Sequence, residues 1–311
     1  MKQEKPIICY EQAAMALPGR LRRAAMAEPQ LRQAQSEEFR LRAGRTMTIL
    51  TGDGEWDTGV PVEPRDIEAL CNLATEFSRY AAVETLRRGF LSLQGGGRVG
   101  LCGSAGMKEG GCAILKDFSS AAIRIPREMT GIGDALAPRL FREGRFCSTV
   151  ILSPPGGGKT TLLRDLVRCL SYGTAERPGL RVALADERGE VAVMRRGLPQ
   201  MDIGPRTDVL EGCPKAEAVP MLLRAMNPQV VAVDEIGGRE DARAIGEAAR
   251  CGCTILATAH GENMEEITRK PYLGELVRDG LFERYLFLNG REGPGVLGQC
   301  FDGVGQAVTG L

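Results

Sequence analysis

Residues 153–166, SPPGGGKTTLLRDL, decide how the chain is read. Before them TVILS (149–153) has the apolar, β-branched character of a buried strand, and after the glycines TTLLRDLVRCL carries apolar residues at helical spacing. A strand, a glycine-rich turn and a helix in that order leave the first helical amides without intrahelical acceptors and aim the positive end of the helix dipole at the turn. Ser153, Pro154, Pro155, Gly156, Gly157, Gly158, Lys159, Thr160 and Thr161 are therefore candidate nucleotide-binding residues. Lys159 would reach the β- and γ-phosphates and the Thr160 hydroxyl would hold Mg²⁺, while Thr161 packs or caps. The motif asks for glycine where Ser153 stands, five residues before Gly158. Serine is small, and the turn depends chiefly on the three consecutive glycines. The expected ligands are ATP and Mg²⁺.

Working outward, three more strand ends carry polar groups. VVAVDE (230–235) is an apolar run ending in two carboxylates, and ligands of open α/β sheets bind outside the carboxyl ends of the strands. Asp234 is the candidate metal-shell residue, and Glu235 the candidate that orients or deprotonates an attacking water. ILATAHGEN (255–263) places His260, the chain's one histidine, at the end of another such strand, where it would sense or polarise the site. VALADERGE (182–190) ends in Asp186 and Glu187, with Glu190 three residues on. These three are candidate metal-positioning acids, with ordinary surface acid at a strand end as the alternative.

From residue 148 onward, apolar runs alternate with helical patterns, which predicts an α/β domain with a mainly parallel sheet covered by helices over 148–311. Residues 1–127 read differently. Residues 11–34 suggest one or two short amphipathic helices interrupted at Pro18 and Pro29, and DIEALCNLATEFSRYAAVETLRRG suggests a longer one. EEFRLRAG, TMTIL, LSLQGG, GRVGLCG, CAILKDF and AAIRIPRE are β-prone segments of an antiparallel sheet, so a smaller α+β domain comes first. Residues 128–147 are expected to connect the two.

Lys plus Arg and Asp plus Glu balance at 40 each, so no global basic field points to nucleic acid, and a 5% aromatic share argues against base-stacking platforms. Ten scattered cysteines, with Cys251 and Cys253 the one close pair, fit a reduced, cytoplasmic protein better than a zinc site. No stretch approaches the roughly 20 apolar residues that span a bilayer, so direct transmembrane insertion is not expected and membrane association would be peripheral.

The order of the phosphate loop, ADERGE, VVAVDE and ATAHGEN is similar to that of the secretion-type ATPases of type II and type IV secretion and pilus assembly. In that resemblance Asp186, Glu187 and Glu190 stand in the acidic box, Glu235 is the catalytic glutamate and His260 the second histidine of the histidine box. Two positions depart from the pattern: Cys253 stands where the histidine box usually opens on histidine, and Asp234 where glycine usually precedes the catalytic glutamate. Adding EEFRLRAGR, GGGRVGLCG and AAIRIPRE, nearly the whole chain resembles the ATPase family of the channel apparatus that links mother cell and forespore in endospore-forming bacteria.

The resemblance implies a RecA/AAA+-like P-loop fold, ATP hydrolysis, a homo-oligomeric ring, a hexamer by analogy, and membrane-protein partners of the sporulation channel complex on the mother cell side. It also implies that Arg124 or Arg127 in IRIPRE serves as an arginine finger. A cross-strand salt bridge is the structural alternative for that pair. The competing functional readings are a nucleic-acid-handling P-loop ATPase and a nucleotide-gated scaffold with little turnover.

Overall fold

The structure, a computed structural model, describes residues 4–75, 90–93, 97–108, 111–125, 129–290 and 292–308. The chain divides between Glu128 and Met129 into two compact units.

The first unit is α+β. Helices α1 (Glu4–Ala14), α2 (Gly19–Met26), α3 (Gln30–Gln35) and α4 (Pro64–Ala74) accompany a sheet of order β3-β2-β1-β6-β5-β4. Its strands are β1 (Ser36–Arg42), β2 (Thr46–Thr51), β3 (Gly54–Pro61), β4 (Phe90–Ser92), β5 (Arg98–Lys108) and β6 (Gly111–Arg124), and every pairing is antiparallel. Alternate residues of β2, Met47 and Ile49, point into a core shared with Tyr10, Leu21, Phe39, Leu70 and Ile123. Pro18 and Pro29 do not merely interrupt a helix; each stands immediately before the first turn of the next, because a fixed φ suits a helix start. CAILKDF and AAIRIPRE, two segments by sequence, lie largely on the single strand β6, in which Asp117 at φ 44° marks an irregularity in register. The second half of the helix expected to begin at Asp66 falls on residues 76–89, outside the described residues.

The second unit is α/β. Its sheet runs β13-β10-β14-β15-β9-β16-β17, built from β9 (Thr149–Ser153), β10 (Val182–Asp186), β13 (Thr207–Glu211), β14 (Val230–Val233), β15 (Thr254–His260), β16 (Arg284–Leu288) and β17 (Leu297–Asp302). All pairings are parallel except β16 with β17. Short hairpins β7–β8 (Phe141–Arg142, Arg145–Phe146) and β11–β12 (Met194–Arg195, Leu198–Pro199) lie outside it. Helices α5 (Lys159–Tyr172), α6 (Lys215–Met226), α7 (Arg239–Arg250), α8 (Met264–Arg269) and α9 (Pro271–Arg278) alternate with the strands. Strands β9, β10 and β14 are buried along their whole length, as the unbroken apolar runs require when both faces are covered. Two apolar clusters flank the sheet, one with α6, α7 and α9, the other with α5.

The stretch 128–147, expected as a connection, belongs from Met129 onward to this second unit. Leu136, Leu140 and Phe146 are buried against α5 residues such as Leu163 and Leu166. The buried Asp165 carboxylate on α5 accepts the amides of Gly131 and Gly133 at 3.0 and 2.7 Å, which fastens the segment to the helix.

Candidate nucleotide site

Strand order brings the carboxyl ends of β10, β14, β15 and β9 side by side, so Asp186, Asp234, His260 and Ser153 line one edge of the sheet. Gly156 and Gly158 have φ of 78° and 86°, a left-handed conformation that a side chain resists. Gly158 begins α5, and no side chain caps its first turn, which leaves the turn's amides to a ligand. At Gly157 an added Cβ would lie 2.4 Å from Ser153 Oγ, so the serine is seated under the turn and fills space that the glycine leaves open.

Lys159 is folded back onto its own loop. Its ammonium donates to the carbonyls of Ser153 and Pro154, both at 3.1 Å, and lies 3.3 Å from His260 Nδ1. Burial pushes the Lys159 pKa down, against the pull of Asp234 and Glu235. An ammonium has only donors, so this contact makes Nδ1 the acceptor and leaves Nε2–H to donate to Glu235 Oε1 at 3.2 Å. His260 therefore couples the phosphate-loop lysine to Glu235.

Asp234 faces the loop. Its Oδ2 accepts the Thr160 hydroxyl at 2.8 Å, and its Oδ1 accepts the Thr258 hydroxyl at 2.7 Å. Thr258 in turn accepts the Glu235 amide at 2.7 Å. Glu235 stands at φ 56°, a strained conformation for a residue with a Cβ, and the turn of the backbone there separates the two carboxylates by role. Asp234 meets the loop threonine, and Glu235 meets the histidine. The hydroxyl and carboxylate at Thr160 and Asp234 are hard oxygen donors of the kind Mg²⁺ takes.

The acidic box differs from expectation. Asp186 is buried, and its oxygens accept the amides of Glu190, Val191 and Ala192 at 3.0, 3.1 and 2.8 Å. Burial raises its pKa, and the amides act in the opposite sense. The carboxylate is thus occupied in shaping the loop after β10. Glu187 pairs with Lys215, which holds its carboxyl below the usual range. The Glu190 carbonyl accepts from Arg164 at 2.5 Å.

In the first unit, Arg124 takes the cross-strand alternative: it is the register partner of Glu38 on β1, and its Nε lies 3.1 Å from Glu38 Oε1. Arg127 lies outside the described residues. Cys253 precedes β15, at the opposite end of the strand from His260, with its thiol 3.3 Å from the Pro228 carbonyl, so the departure from the histidine-box pattern is remote from the site.

Three participants escape sequence inspection. Thr258 is fully buried two residues before His260, and a hydroxyl in the middle of an apolar run, on the same face as the histidine, is the signal for it. Arg188 places Nη1 2.7 Å from Glu235 Oε2, with only its position after the acidic pair to mark it. Gly295, in the turn between β16 and β17, donates its amide to the Gly157 carbonyl at 3.1 Å, a contact with no local signature.

A parallel sheet with a glycine-rich strand-to-helix turn, an adjacent threonine and aspartate, and a glutamate and histidine at neighbouring strand ends defines the P-loop class with a RecA-like core. The fold is similar to that of the pilus retraction motor PilT, solved with bound ADP, at a TM-score of 0.57 and 14% identity over 81% of this chain and 74% of that one. It is similar also to the Legionella pneumophila ATPase DotB, at a TM-score of 0.51 and 15% identity over 81% and 72%. The chain belongs to the family described as sporulation stage III, protein AA, which it matches over residues 9–308. It is 36% identical to the stage III sporulation protein AA of Bacillus subtilis (strain 168) across 95% of this chain and 96% of that protein.

Proposed function

We propose that the chain is an ATPase that drives a specialised channel or secretion apparatus, the channel between mother cell and forespore during endospore formation, by cycles of ATP hydrolysis in a homo-oligomeric, hexameric ring. The observation that carries this is the convergence of Lys159, Thr160, Asp234, Glu235 and His260 on one edge of the sheet. The triphosphate takes the place of the two carbonyls that Lys159 now holds, with the α5 amides around it. Thr160 and Asp234 would hold Mg²⁺, which would supply charge neutralisation to the phosphates. Glu235 orients the attacking water and takes its proton, and His260 relays the state of Lys159 to it.

Arg124, exposed but paired with Glu38, exchanges that pairing for the γ-phosphate of a neighbouring subunit when it serves as the finger. Among the described residues no helix is long and apolar enough to cross a membrane, consistent with peripheral attachment at the cytoplasmic face through membrane-protein partners.

The test is steady-state ATPase activity of the wild type against Glu235→Gln, with mass measurement in the presence and absence of a non-hydrolysable ATP analogue. Mg²⁺-dependent turnover that Glu235→Gln lowers by two orders of magnitude or so supports the reading. Equal silence of both proteins in an assembled ring sinks it in favour of a scaffold. A monomer under every condition removes the ring.

A further inference from the structure

We infer that Arg188 is a γ-phosphate-responsive positioning residue: its guanidinium holds Glu235 while no triphosphate is bound, and the γ-phosphate draws it away, freeing the glutamate to act on water. The inference rests on the ATPase reading above.

Both Glu235 oxygens are engaged, Oε1 by His260 Nε2 at 3.2 Å and Oε2 by Arg188 Nη1 at 2.7 Å. With an imidazole on one oxygen and a guanidinium on the other, the carboxylate is turned toward its protein partners, and a water can approach it only where one of them gives way. One partner must leave before a water takes its place at Glu235. His260 is poorly suited to leave, since β15 carries it, its ring also meets Lys159, and its carbonyl accepts from Lys270 at 2.6 Å.

Arg188 is suited to leave. Its side chain is 62% exposed, yet the backbone around it is fixed. On one side Asp186 binds the amides of residues 190–192, and Glu187 is held by Lys215. On the other, Gly189 sits at φ 64°, where an added Cβ would come within 2.6 Å of Glu211 Oε1. The moving part is therefore the arginine side chain alone.

Its destination follows from charge. A guanidinium matches phosphate oxygens in a planar fork, and a terminal phosphate carries more charge than a single carboxylate. The Lys159 ammonium, which receives the phosphates, is separated from Glu235 by one imidazole ring, so a γ-phosphate at Lys159 arrives beside the Arg188–Glu235 pair. ADP lacks that group and leaves the pair closed. The two nucleotides thus differ in the contact they offer, which is what a switch requires.

The experiment measures Mg²⁺-dependent binding of the N-methylanthraniloyl derivatives of ADP and of a non-hydrolysable ATP analogue to the full chain. The variants are Arg188→Ala, Arg188→Lys, Glu235→Gln and the Arg188→Ala/Glu235→Gln pair. Arg188→Ala is expected to weaken the ATP analogue by about tenfold and to leave ADP unchanged, with Arg188→Lys intermediate. Glu235→Gln removes the competitor for the guanidinium, so it tightens the ATP analogue when Arg188 is present and has no such effect when it is absent. Equal effects of Arg188→Ala on both nucleotides, no effect on either, or tightening by Glu235→Gln regardless of residue 188 overturns the inference. If Arg188→Ala melts early, the Arg188→Lys comparison decides. A wild type that binds neither nucleotide sinks the ATPase reading itself.

Discussion

The Thr258 hydroxyl donates to Asp234 Oδ1 at 2.7 Å and accepts the Glu235 amide at 2.7 Å, so one buried side chain sets the position of both carboxylates. Thr258→Val keeps the shape and removes the hydrogen bonds, leaving the part-buried Glu235 amide without this partner and a buried methyl where the hydroxyl was. The expected cost is about 1–3 kcal/mol in urea unfolding, together with loss of Mg²⁺-dependent turnover. Thr258→Ser restores both. Unchanged stability in the valine variant would show that the two contacts are idle.

Gly156 and Gly158 share a left-handed backbone and differ in surroundings. A Cβ at Gly156 meets nothing within 4 Å, whereas at Gly158 it would lie 2.1 Å from the Gly295 nitrogen. Gly156→Ala should cost only its conformational penalty, about 1–2 kcal/mol. Gly158→Ala adds a backbone clash and should cost at least about 1–3 kcal/mol more. Denaturant unfolding of the pair separates strain from crowding; equal losses would argue against the Gly295 contact.

Glu235 also has a left-handed backbone, at φ 56°. Comparing Glu235→Gly with Glu235→Ala removes the same side-chain contacts in both and isolates the backbone. The glycine variant should be the more stable by about 1 kcal/mol although neither turns over ATP, as expected where function retains local strain. A more stable alanine variant would contradict the strain.

Acid sensitivity has a local source at the start of the loop after β10. Lys215 lowers the Glu187 pKa below the ordinary 4.5. The ion pair therefore contributes stability above pH 4.5, and that contribution is lost as pH falls through the folded carboxyl's lower value. In unfolding measurements the gap between wild type and Glu187→Gln should close as pH drops below 4.5 and stay constant toward neutrality. A gap independent of pH would assign the difference to packing.

Sequence periodicity carries the α/β core because its central strands are apolar throughout, and a run such as VVAV has no other stable place. Edge elements are less legible. β13 is the polar segment TDVLE, half exposed at the margin of the sheet, and its composition does not distinguish it from a loop. At the site, the residue types that the proposed phosphate chemistry calls for are readable from spacing: Lys159, Thr160, Asp234, Glu235 and His260 lie together. Residues that hold them are not. Arg188 and Gly295 meet the site through pairings of distant segments, and only the three-dimensional path of the chain reveals those. Asp186 shows the converse, for an acid at a strand end looks like a ligand until its oxygens are found on backbone amides.

Strand β9 pairs with β15 on one side and β16 on the other, and the turn that follows it accepts a hydrogen bond from Gly295. On the ribosome this order matters. TVILS and the phosphate loop emerge well before residues 254–260 and 284–295, so during synthesis this inner strand of the sheet waits as an apolar segment with two open edges, the condition that invites mispairing and aggregation. The nucleotide pocket is consequently among the last features of the nascent chain to mature, and translation stalled before Thr254 leaves a phosphate loop without the strands that hold it in place.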